Sequence, residues 1–239
     1  MSKIKSAFFW SGGKDSALAL YKCLQDPTIE IVYLVCTLSV KFKRISMHGV
    51  HEDLLDMQAS SIGIPLKKMW MPETATNLAY EEVLSEMYQE LKSEGVDQIV
   101  FGDIFLEDLK EYRDDFLAKH KLKGIYPLWL LDTTDLAKEF IAEGFKTRIC
   151  CINDAQLNES FVGRLFDESF LKDLPEKVDT CGENGEFHTF CFEGPIFKTP
   201  IAHVVGKKVY KPLKLNTADC TKVGDTLGFW YIELLKKNS

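Results

Sequence analysis

The stretch Phe8-Phe9-Trp10-Ser11-Gly12-Gly13-Lys14-Asp15-Ser16-Ala17-Leu18-Ala19-Leu20 decides the fold. An apolar run gives way to SGGKDS and resumes as ALAL, which indicates a strand over 7–10, a glycine turn and a helix over about 15–25. Glycines have no Cβ, so the backbone amides of the turn can curl around an oxyanion. The start of the helix adds unpaired N–H groups and partial positive charge. We therefore expect an anion-binding loop.

Two familiar phosphate-binding loops do not fit this stretch. The P-loop pattern G-x-x-x-x-G-K-[ST] would need a glycine at Phe8 and a Ser or Thr at Asp15. The dinucleotide pattern G-x-G-x-x-G needs alternating glycines, whereas here they are adjacent and Ser16 stands at the third position. Ser11 and Ser16 supply hydroxyl donors and Lys14 supplies a cation. Asp15 would repel a bare phosphate, which favours a place beside a metal ion or at the helix start.

The composition favours a soluble globular protein, because 46% of the 239 residues are hydrophobic and 27% are charged. No apolar run reaches the roughly 20 residues of a membrane span, and no signal-peptide pattern is present, so we expect a cytoplasmic protein without membrane contact. The net charge of −7 disfavours nucleic acid as a partner. VKFKR (40–44) and GKKVYKPLK (206–214) are candidate basic patches, although solvated strand faces also explain them.

The seven cysteines indicate a reducing compartment rather than a disulfide framework. Their number is odd, no C-x-x-C pair occurs, and the spacing matches no zinc signature. We interpret most of them as small buried hydrophobes. A metal site formed by Cys181, His188 and Cys191 stays an alternative.

The first half of the sequence alternates between strand and helix patterns. The segment 30–39 is apolar on both faces, which is typical of a central parallel strand. A helix over about 50–62 ends at Gly63, and an amphipathic helix covers about 77–94. A further buried strand follows over 96–104. Repeated β-α units of this kind predict a doubly wound parallel sheet of α/β class.

Ligands bind at the carboxyl ends of the strands in such sheets. We therefore expect the glycine loop, the segment after Ser39 and the residues Gly102-Asp103-Ile104 to converge.

The second half has a different pattern. A helix is predicted near 134–143 and a strand over 147–152, whereas 153–195 reads as helix and loop without clear rhythm. From about 195 onward, alternating stretches indicate antiparallel strands. We predict a Rossmann-like domain over 1–130 and a smaller α+β domain over 131–239, packed together because no linker separates them.

SGGKDS resembles the PP-loop of the N-type ATP pyrophosphatases, whose pattern is S-G-G-x-D-S after a first strand. Three further stretches narrow the resemblance to the diphthine–ammonia ligase family. They are ISMHGV (45–50), FGDIFLEDLKEYRDD (101–115) with PLW after it, and DTCGENGEFHTFCFEGPIF (179–197), which contains an E-x-G-E-[FY]-H-T core. The resemblance extends to about residue 200.

The resemblance implies an AMP-forming ligase that uses ATP, Mg²⁺ and ammonia. The loop would hold the pyrophosphate part of ATP, and an adenylated carboxylate would then be attacked by ammonia to give an amide. In the family the acceptor is diphthine, a modified histidine of elongation factor 2 that exists only in archaea and eukaryotes. CGENGEFHTF resembles the signature of the bacterial branch of this family, for which the resemblance does not identify the acceptor. Homo-oligomer formation is also left open.

The resemblance and the residue types together predict the site. Arg113 would contact phosphate or carboxylate, and Met47 and His48 would lie near the adenine. The predicted catalytic residues are Lys14, Asp15, Asp103, Glu183, Glu186 and His188. The predicted nucleotide-binding residues are Ser11, Gly12, Gly13, Lys14, Asp15, Ser16, Thr37, Met47, His48, Gly102 and Arg113. The predicted Mg²⁺ ligands are Asp15 and Asp103.

Simpler interpretations exist for the weaker signals. Residues 183–188 also fit an acidic surface loop with a hydrogen-bonded histidine, and 101–115 also fits a solvated amphipathic helix. His48 and His51 form a poorly supported metal pair. Two other functions stay open, namely a PP-loop enzyme that modifies tRNA and a nucleotide-binding sensor without turnover.

Overall fold

The computed structural model describes residues 3–45, 47–72, 77–213 and 228–237. Within these ranges the chain forms two β-sheets with helices packed around them. In chain order the elements are β1 (Ile4–Phe9), α1 (Lys14–Gln25), β2 (Ile29–Ser39), α2 (Glu52–Ile62), β3 (Leu66–Met71), α3 (Asn77–Ser93), β4 (Gln98–Val100), α4 (Glu107–Lys119), β5 (Lys123–Ile125), α5 (Thr133–Ala142), β6 (Lys146–Asn153), α6 (Glu168–Asp173), β7 (Phe187–Glu193), β8 (His203–Pro212) and β9 (Gly228–Lys236).

The first sheet has the strand order β3-β2-β1-β4-β5, and every neighbouring pair is parallel. Ala7 and Phe8 of β1 and Leu34 and Val35 of β2 are fully buried, because helices cover both faces of the sheet. The strand order reverses at β1, which therefore marks the topological switch point. The predicted doubly wound α/β fold is confirmed.

The second sheet is antiparallel, with the strand order β7-β6-β9-β8. The predicted strand over 147–152 is the centre of β6, and the antiparallel strands expected after residue 195 are β8 and β9. Residues 214–227 between them, which include Cys220 and the end of the GKKVYKPLK patch, lie outside the described residues.

Local signals set the helix boundaries. The Nδ1 atom of His51 accepts a hydrogen bond of 3.3 Å from the amide of Asp53 at the start of α2, so His51 is a helix cap. At the other end Gly63 adopts φ 86° and ends the helix, as its position predicted. α3 covers Asn77–Ser93, in agreement with the amphipathic helix predicted over about 77–94.

Three parts of the sequence-based assignment differ from the structure. The strand predicted over 96–104 is shorter, because β4 pairs only over Gln98–Val100 and the chain then enters the loop that carries Asp103. β3 was not predicted, because lysines interrupt its apolar pattern. Those lysines are paired with acids of α2 and α3. The interpretation of 153–195 as helix and loop was wrong for β7, which is buried on both faces and shows no alternation.

One cluster of buried side chains runs through both sheets and includes Phe8, Leu34, Ile149 and Phe190. The cluster confirms that the two halves of the chain pack together. The boundary near residue 130 stays a prediction.

The six cysteines in the described ranges are buried and unpaired. In the same ranges no group of three metal-ligating side chains meets, so Cys181, His188 and Cys191 do not form the alternative metal site. None of the helices described is long and apolar enough to cross a membrane.

Candidate active site

A cavity of about 450 Å³ opens at the carboxyl ends of β1, β2 and β4, beside the switch point of the first sheet. This volume lies in the range of small-molecule sites. Most of the predicted residues line it, as expected from the convergence of the strand ends. The predicted residues in the lining are Ser11, Lys14, Asp15, Ser16, Thr37, Met47, His48, Gly102, Asp103, Arg113, Glu183 and His188.

The glycine loop joins β1 to α1 in a conformation that only glycine adopts readily. Gly12 has φ 76°, and a Cβ at Gly13 would lie 3.0 Å from Cε1 of His48. Ser11 Oγ lies 3.0 Å from Ser16 Oγ and accepts a hydrogen bond of 3.2 Å from the amide of Gly13. The loop therefore brings two hydroxyl groups and the N-terminus of α1 to the cavity. Gly12 and Gly13 were predicted to bind the nucleotide. In the structure they set the conformation of the loop, and they are not among the described residues that line the cavity.

Lys14 is buried inside the loop with its ammonium group fully engaged. Its Nζ donates to both carboxylate oxygens of Asp15, at 2.6 and 2.7 Å, and to the carbonyl of Cys181. Burial disfavours the charged form, but the attraction of the Asp15 carboxylate outweighs it, so the pKa of Lys14 lies above its usual value. An ion pair between the buried Lys14 and Asp15 is therefore fixed at the start of α1.

β7 of the second sheet packs against one side of the glycine loop. The amide of Lys14 donates to Thr189 Oγ1 at 2.9 Å, and the amide of Cys191 donates to the carbonyl of Gly12 at 2.8 Å. These bonds connect segments about 175 residues apart. The FHTF part of the second-half signature is thus in direct contact with the glycine loop.

Two imidazole rings contact each other beside the loop. The rings of His48 and His188 lie 4.7 Å apart, and Nδ1 of His48 donates to the carbonyl of Thr189 at 3.0 Å. Burial lowers the pKa of both histidines, that of His188 to about 3. Nε2 of His188 is buried and has no hydrogen-bond partner among the described residues. The pair presents neutral ring nitrogens at neutral pH.

Glu183 is the acidic group of the signature that faces the cavity. Its Oε1 accepts a hydrogen bond of 2.8 Å from the amide of Ile104, in the loop after β4. Burial, helped by the negative charge of Asp15, raises the pKa of Glu183 to about 7. The carboxyl group can therefore gain and lose a proton near neutral pH.

Glu186 was predicted beside Glu183, but the structure does not place it in the described lining of the cavity. Its Oε1 accepts from the amide of Asp179 at 3.1 Å and from the side chain of Asn184 at 3.2 Å. The carboxylate holds the turn that carries Glu183. Because the chain reverses at Gly185, with φ 83°, two acids three residues apart point to different sides.

Asp103 and Arg113 form an ion pair in the cavity. The guanidinium of Arg113 also lies over the ring of Phe101, 4.3 Å from its centroid. Nearby, Gly102 packs against α1, since a Cβ there would lie 3.1 Å from the amide of Ser16. The loop after β4 thus sets one edge of the cavity and supports the start of α1.

The end of β2 and the following turn form the apolar side of the cavity. Thr37, Val35 and Ile45 contribute to it, and Met47 adopts φ 60° at its mouth, where the side chain is 47% exposed. An apolar wall beside a loop that is predicted to bind phosphate is suited to a nucleotide base. His51 caps α2 and does not share a metal site with His48.

Thr189 and Gln58 also contact the loop, although neither was predicted from the sequence. Thr189 belongs to the EFHT signature, but only the acids and the histidine of that motif were predicted to belong to the site. Gln58 lies in the middle of a helix and had no motif to mark it.

Asp15 and Asp103 are the carboxylates that could hold Mg²⁺. Mg²⁺ is commonly bound by one or two carboxylates together with substrate phosphates. Asp15 is the more accessible of the two, with its side chain 30% exposed, although both of its oxygens bond the ammonium of Lys14. Asp103 is less exposed, at 17%, and already has Arg113 as its partner.

Comparison with known proteins shows the family to which this chain is related. The model of the diphthamide synthase N-terminal domain matches residues 4–123, and that of the diphthamide synthase C-terminal domain matches residues 132–215. The diphthine–ammonia ligase of Danio rerio is 27% identical over 213 residues, covering 80% of this chain and 83% of its own. The Homo sapiens enzyme of that name is 27% identical over 215 residues, covering 80% and 79%.

A solved structure described as a predicted subunit of tRNA methyltransferase from Methanocaldococcus jannaschii is also similar. It shows 16% identity and a TM-score of 0.38, and the match covers 63% of this chain and 80% of that chain. The two domain models together account for most of the sequence, including the glycine loop and the second-half signature. This chain therefore belongs to the diphthamide synthase family.

Proposed function

We propose that this protein is an ATP-dependent, AMP-forming ligase that joins a carboxylate to ammonia as an amide. The acceptor carboxylate would attack the α-phosphorus of ATP and release pyrophosphate. Ammonia would then attack the acyl carbon of the adenylate, and AMP would leave. The observation that carries the proposal is the direct contact between the SGGKDS loop and the EFHT strand, which brings an anion site and a proton-transfer group to one cavity.

The glycine loop is suited to the first step. Charge develops on the departing pyrophosphate, and fixed donors stabilise it without reorganisation. Ser11, Ser16 and the N-terminus of α1 are such donors, whereas the ammonium of Lys14 is held by Asp15 and the carbonyl of Cys181. We assign the two glycines to the backbone conformation of the loop. Arg113 is proposed as a further contact for phosphate or carboxylate.

We propose Mg²⁺ as the metal, with Asp15 as its main protein ligand and Asp103 as a second. When bound, it would neutralise phosphate charge. Asp15 now bonds Lys14, so the lysine would have to share this carboxylate with the ion.

Glu183 and His188 are suited to the second step. Ammonium must lose a proton before its nitrogen can attack, and a carboxyl group with a pKa of about 7 can accept that proton. The neutral ring of His188 offers a buried, unpaired nitrogen for an N–H of the nucleophile. We propose that Glu186 acts through the turn it holds, by fixing Glu183 in place.

The adenine would lie on the apolar side of the cavity, against Thr37, Met47 and His48. The proposed acceptor is diphthine on elongation factor 2 if the source is archaeal or eukaryotic, in keeping with the name of the relatives, and a different carboxylate if the source is bacterial. The proposed location is the cytoplasm, a reducing compartment that suits six unpaired thiols in the described ranges.

Product analysis tests the proposal. Purified protein is incubated with ATP, Mg²⁺ and ammonium, with and without elongation factor 2 that carries diphthine. Acceptor-dependent release of AMP and pyrophosphate is expected, whereas ADP and phosphate would contradict the mechanism.

Asp15→Ala is expected to abolish this turnover, because it removes both the proposed Mg²⁺ ligand and the partner of Lys14. Asp135→Ala is the matched control, since Asp135 also lies in the first turn of a helix but does not line the cavity. Full activity of the Asp15 variant would exclude its role.

A further inference from the structure

Gln58 is a fully buried polar residue on α2, directly behind the glycine loop. Its Oε1 accepts a hydrogen bond of 2.9 Å from the indole Nε1 of Trp10. Its Nε2 donates to the carbonyl of Gly12 at 3.0 Å and to that of Cys191 at 2.5 Å. One side chain thus joins the end of β1, the loop and β7.

These three bonds fix the orientation of the amide. The indole N–H is a donor only, so the atom that faces it must be oxygen. Two carbonyl oxygens face the other end of the amide, so that atom must be the nitrogen with its two hydrogens. Both hydrogens of Nε2 are therefore in use. No other neutral side chain of similar length offers one acceptor and two donors in this arrangement.

The hydrogen bond from Gln58 to the carbonyl of Gly12 also sets the orientation of the Gly13 amide, because both groups belong to the same peptide plane. The carbonyl of Gly12 and the amide of Gly13 belong to one trans peptide, so they point in opposite directions. Gln58 and Cys191 hold the carbonyl on the side away from the described lining. The amide of Gly13 is thereby directed towards Ser11 Oγ, which does line the cavity.

Gln58 also accounts for the need for glycine at position 12. A Cβ on Gly12 would lie 2.8 Å from Oε1 of Gln58 and 3.0 Å from Cδ2 of Leu55. The loop packs against α2 with no room for a methyl group. Gly12 and Gln58 therefore act as one unit.

We propose that Gln58 is a positioning residue for the phosphate end of the site. It sets the Gly12–Gly13 peptide so that the amide of Gly13 donates to Ser11 Oγ, which lines the cavity, and it ties that setting to β7. The proposal rests on the proposed function insofar as the site binds a phosphate group of ATP.

Gln58→Glu tests the proposal, because it keeps the shape of the side chain and reverses one interaction. One carboxylate oxygen can still accept from Trp10, but the other would face two carbonyl oxygens. A protonated carboxyl group can donate to one of them, and burial favours this neutral form. We expect MgATP affinity about tenfold or more below wild type at pH 8, as for loss of a buried hydrogen bond, and partial recovery at pH 5.5.

Two readouts are measured between pH 5.5 and pH 8 for the variant and the wild type. Calorimetry gives the MgATP dissociation constant, and the variant is reported as a ratio to wild type at each pH. NMR follows the amide resonance of Gly13 and the indole N–H of Trp10 without ligand. The Gly13 resonance of the variant is expected to titrate together with the affinity ratio, while the Trp10 resonance stays near its wild-type position.

Two further variants complete the test. Gln58→Met removes all three bonds, so its affinity is expected to be low at every pH, without recovery. Ile62→Ala lies on the same helix outside the cavity and is expected to lower stability while keeping the wild-type affinity. Wild-type affinity of Gln58→Glu at every pH, or wild-type affinity of Gln58→Met, would overturn the proposal.

The outcome is separable from that of the proposed function. If wild-type protein binds no MgATP, the proposed function fails, and the Gly13 resonance still decides whether Gln58 sets the loop.

Discussion

At the scale of single residues, the protonation of Glu183 links the site to stability. Its pKa rises from an ordinary 4.5 to about 7 in the folded protein. The folded state therefore binds this proton more tightly than the unfolded chain does. The stabilisation is complete below pH 4.5 and is lost as the pH rises through 7.

Glu183→Gln is accordingly expected to stabilise the protein at high pH, since the amide cannot ionise. The gain over wild type should grow between pH 5 and pH 8.5 towards a limit on the order of 3 kcal/mol, from 1.36 kcal/mol per pKa unit. Urea unfolding at several pH values measures it. The exposed Glu86→Gln serves as the control and should show no such trend. A pH-independent difference for Glu183→Gln would contradict the raised pKa.

His188 is expected to separate nucleotide binding from amide formation. Its ring lines the cavity beside His48 but donates no bond to the loop in the described residues. His188→Ala should therefore leave the dissociation constant of MgATP nearly unchanged and lower the rate of amide formation about a hundredfold or more. His203→Ala is a matched control, because His203 also belongs to the second sheet and lies outside the lining. Equal loss of binding and amide formation would exclude this division of roles.

At the scale of elements, Thr189 joins β7 to the start of α1. Gly13 at the N-cap has no side chain, and Thr189 Oγ1 accepts the hydrogen bond of the Lys14 amide in its place. Thr189→Val keeps the shape and leaves this buried N–H unpaired, which costs about 1–3 kcal/mol.

We expect Thr189→Val to lower both the free energy of unfolding and the affinity for MgATP, and Thr189→Ser to restore both. Urea unfolding and calorimetry measure the two quantities. If Thr189→Ser is as weak as Thr189→Val, the methyl group rather than the hydroxyl would be responsible.

The elements that could be predicted from sequence are those with local signals. α2 has a capping side chain at His51 and a terminating glycine at Gly63, so both of its ends follow from nearby residues. β7 lacks such signals, because Thr189 and His188 are polar residues in a strand buried on both faces. Their partners, Lys14 and His48, lie more than 140 residues away in the chain.

At the scale of the whole molecule, the position of the cavity followed from the order of the strands. Parallel strands place their carboxyl ends together, so the convergence of Ser11, Thr37 and Asp103 was predictable. The contribution of the second half was not, because the sequence does not show where β7 packs. The hydrogen bonds between Thr189 and Lys14 and between Gln58 and Cys191 form only because β7 packs against the loop.

The packing of β7 on the loop has a consequence for the separated halves of the chain. The main core cluster takes side chains from both sheets, and the Gly12 carbonyl and Lys14 amide both bond to β7. Residues 1–130 alone would lack these partners. We therefore expect this fragment either not to fold or to fold without measurable affinity for MgATP.

A protease site inserted between Leu130 and Leu131 tests this expectation. Both residues are exposed, at 72% and 44%, in the connection between β5 and α5. The cleaved protein should stay associated and bind MgATP as the uncleaved insertion variant does, because the core and the loop contacts persist. After separation in denaturant, neither half refolded alone should bind, and refolding the halves together should restore binding. If residues 1–130 alone bind MgATP with the affinity of the intact protein, β7 does not contribute to the nucleotide site.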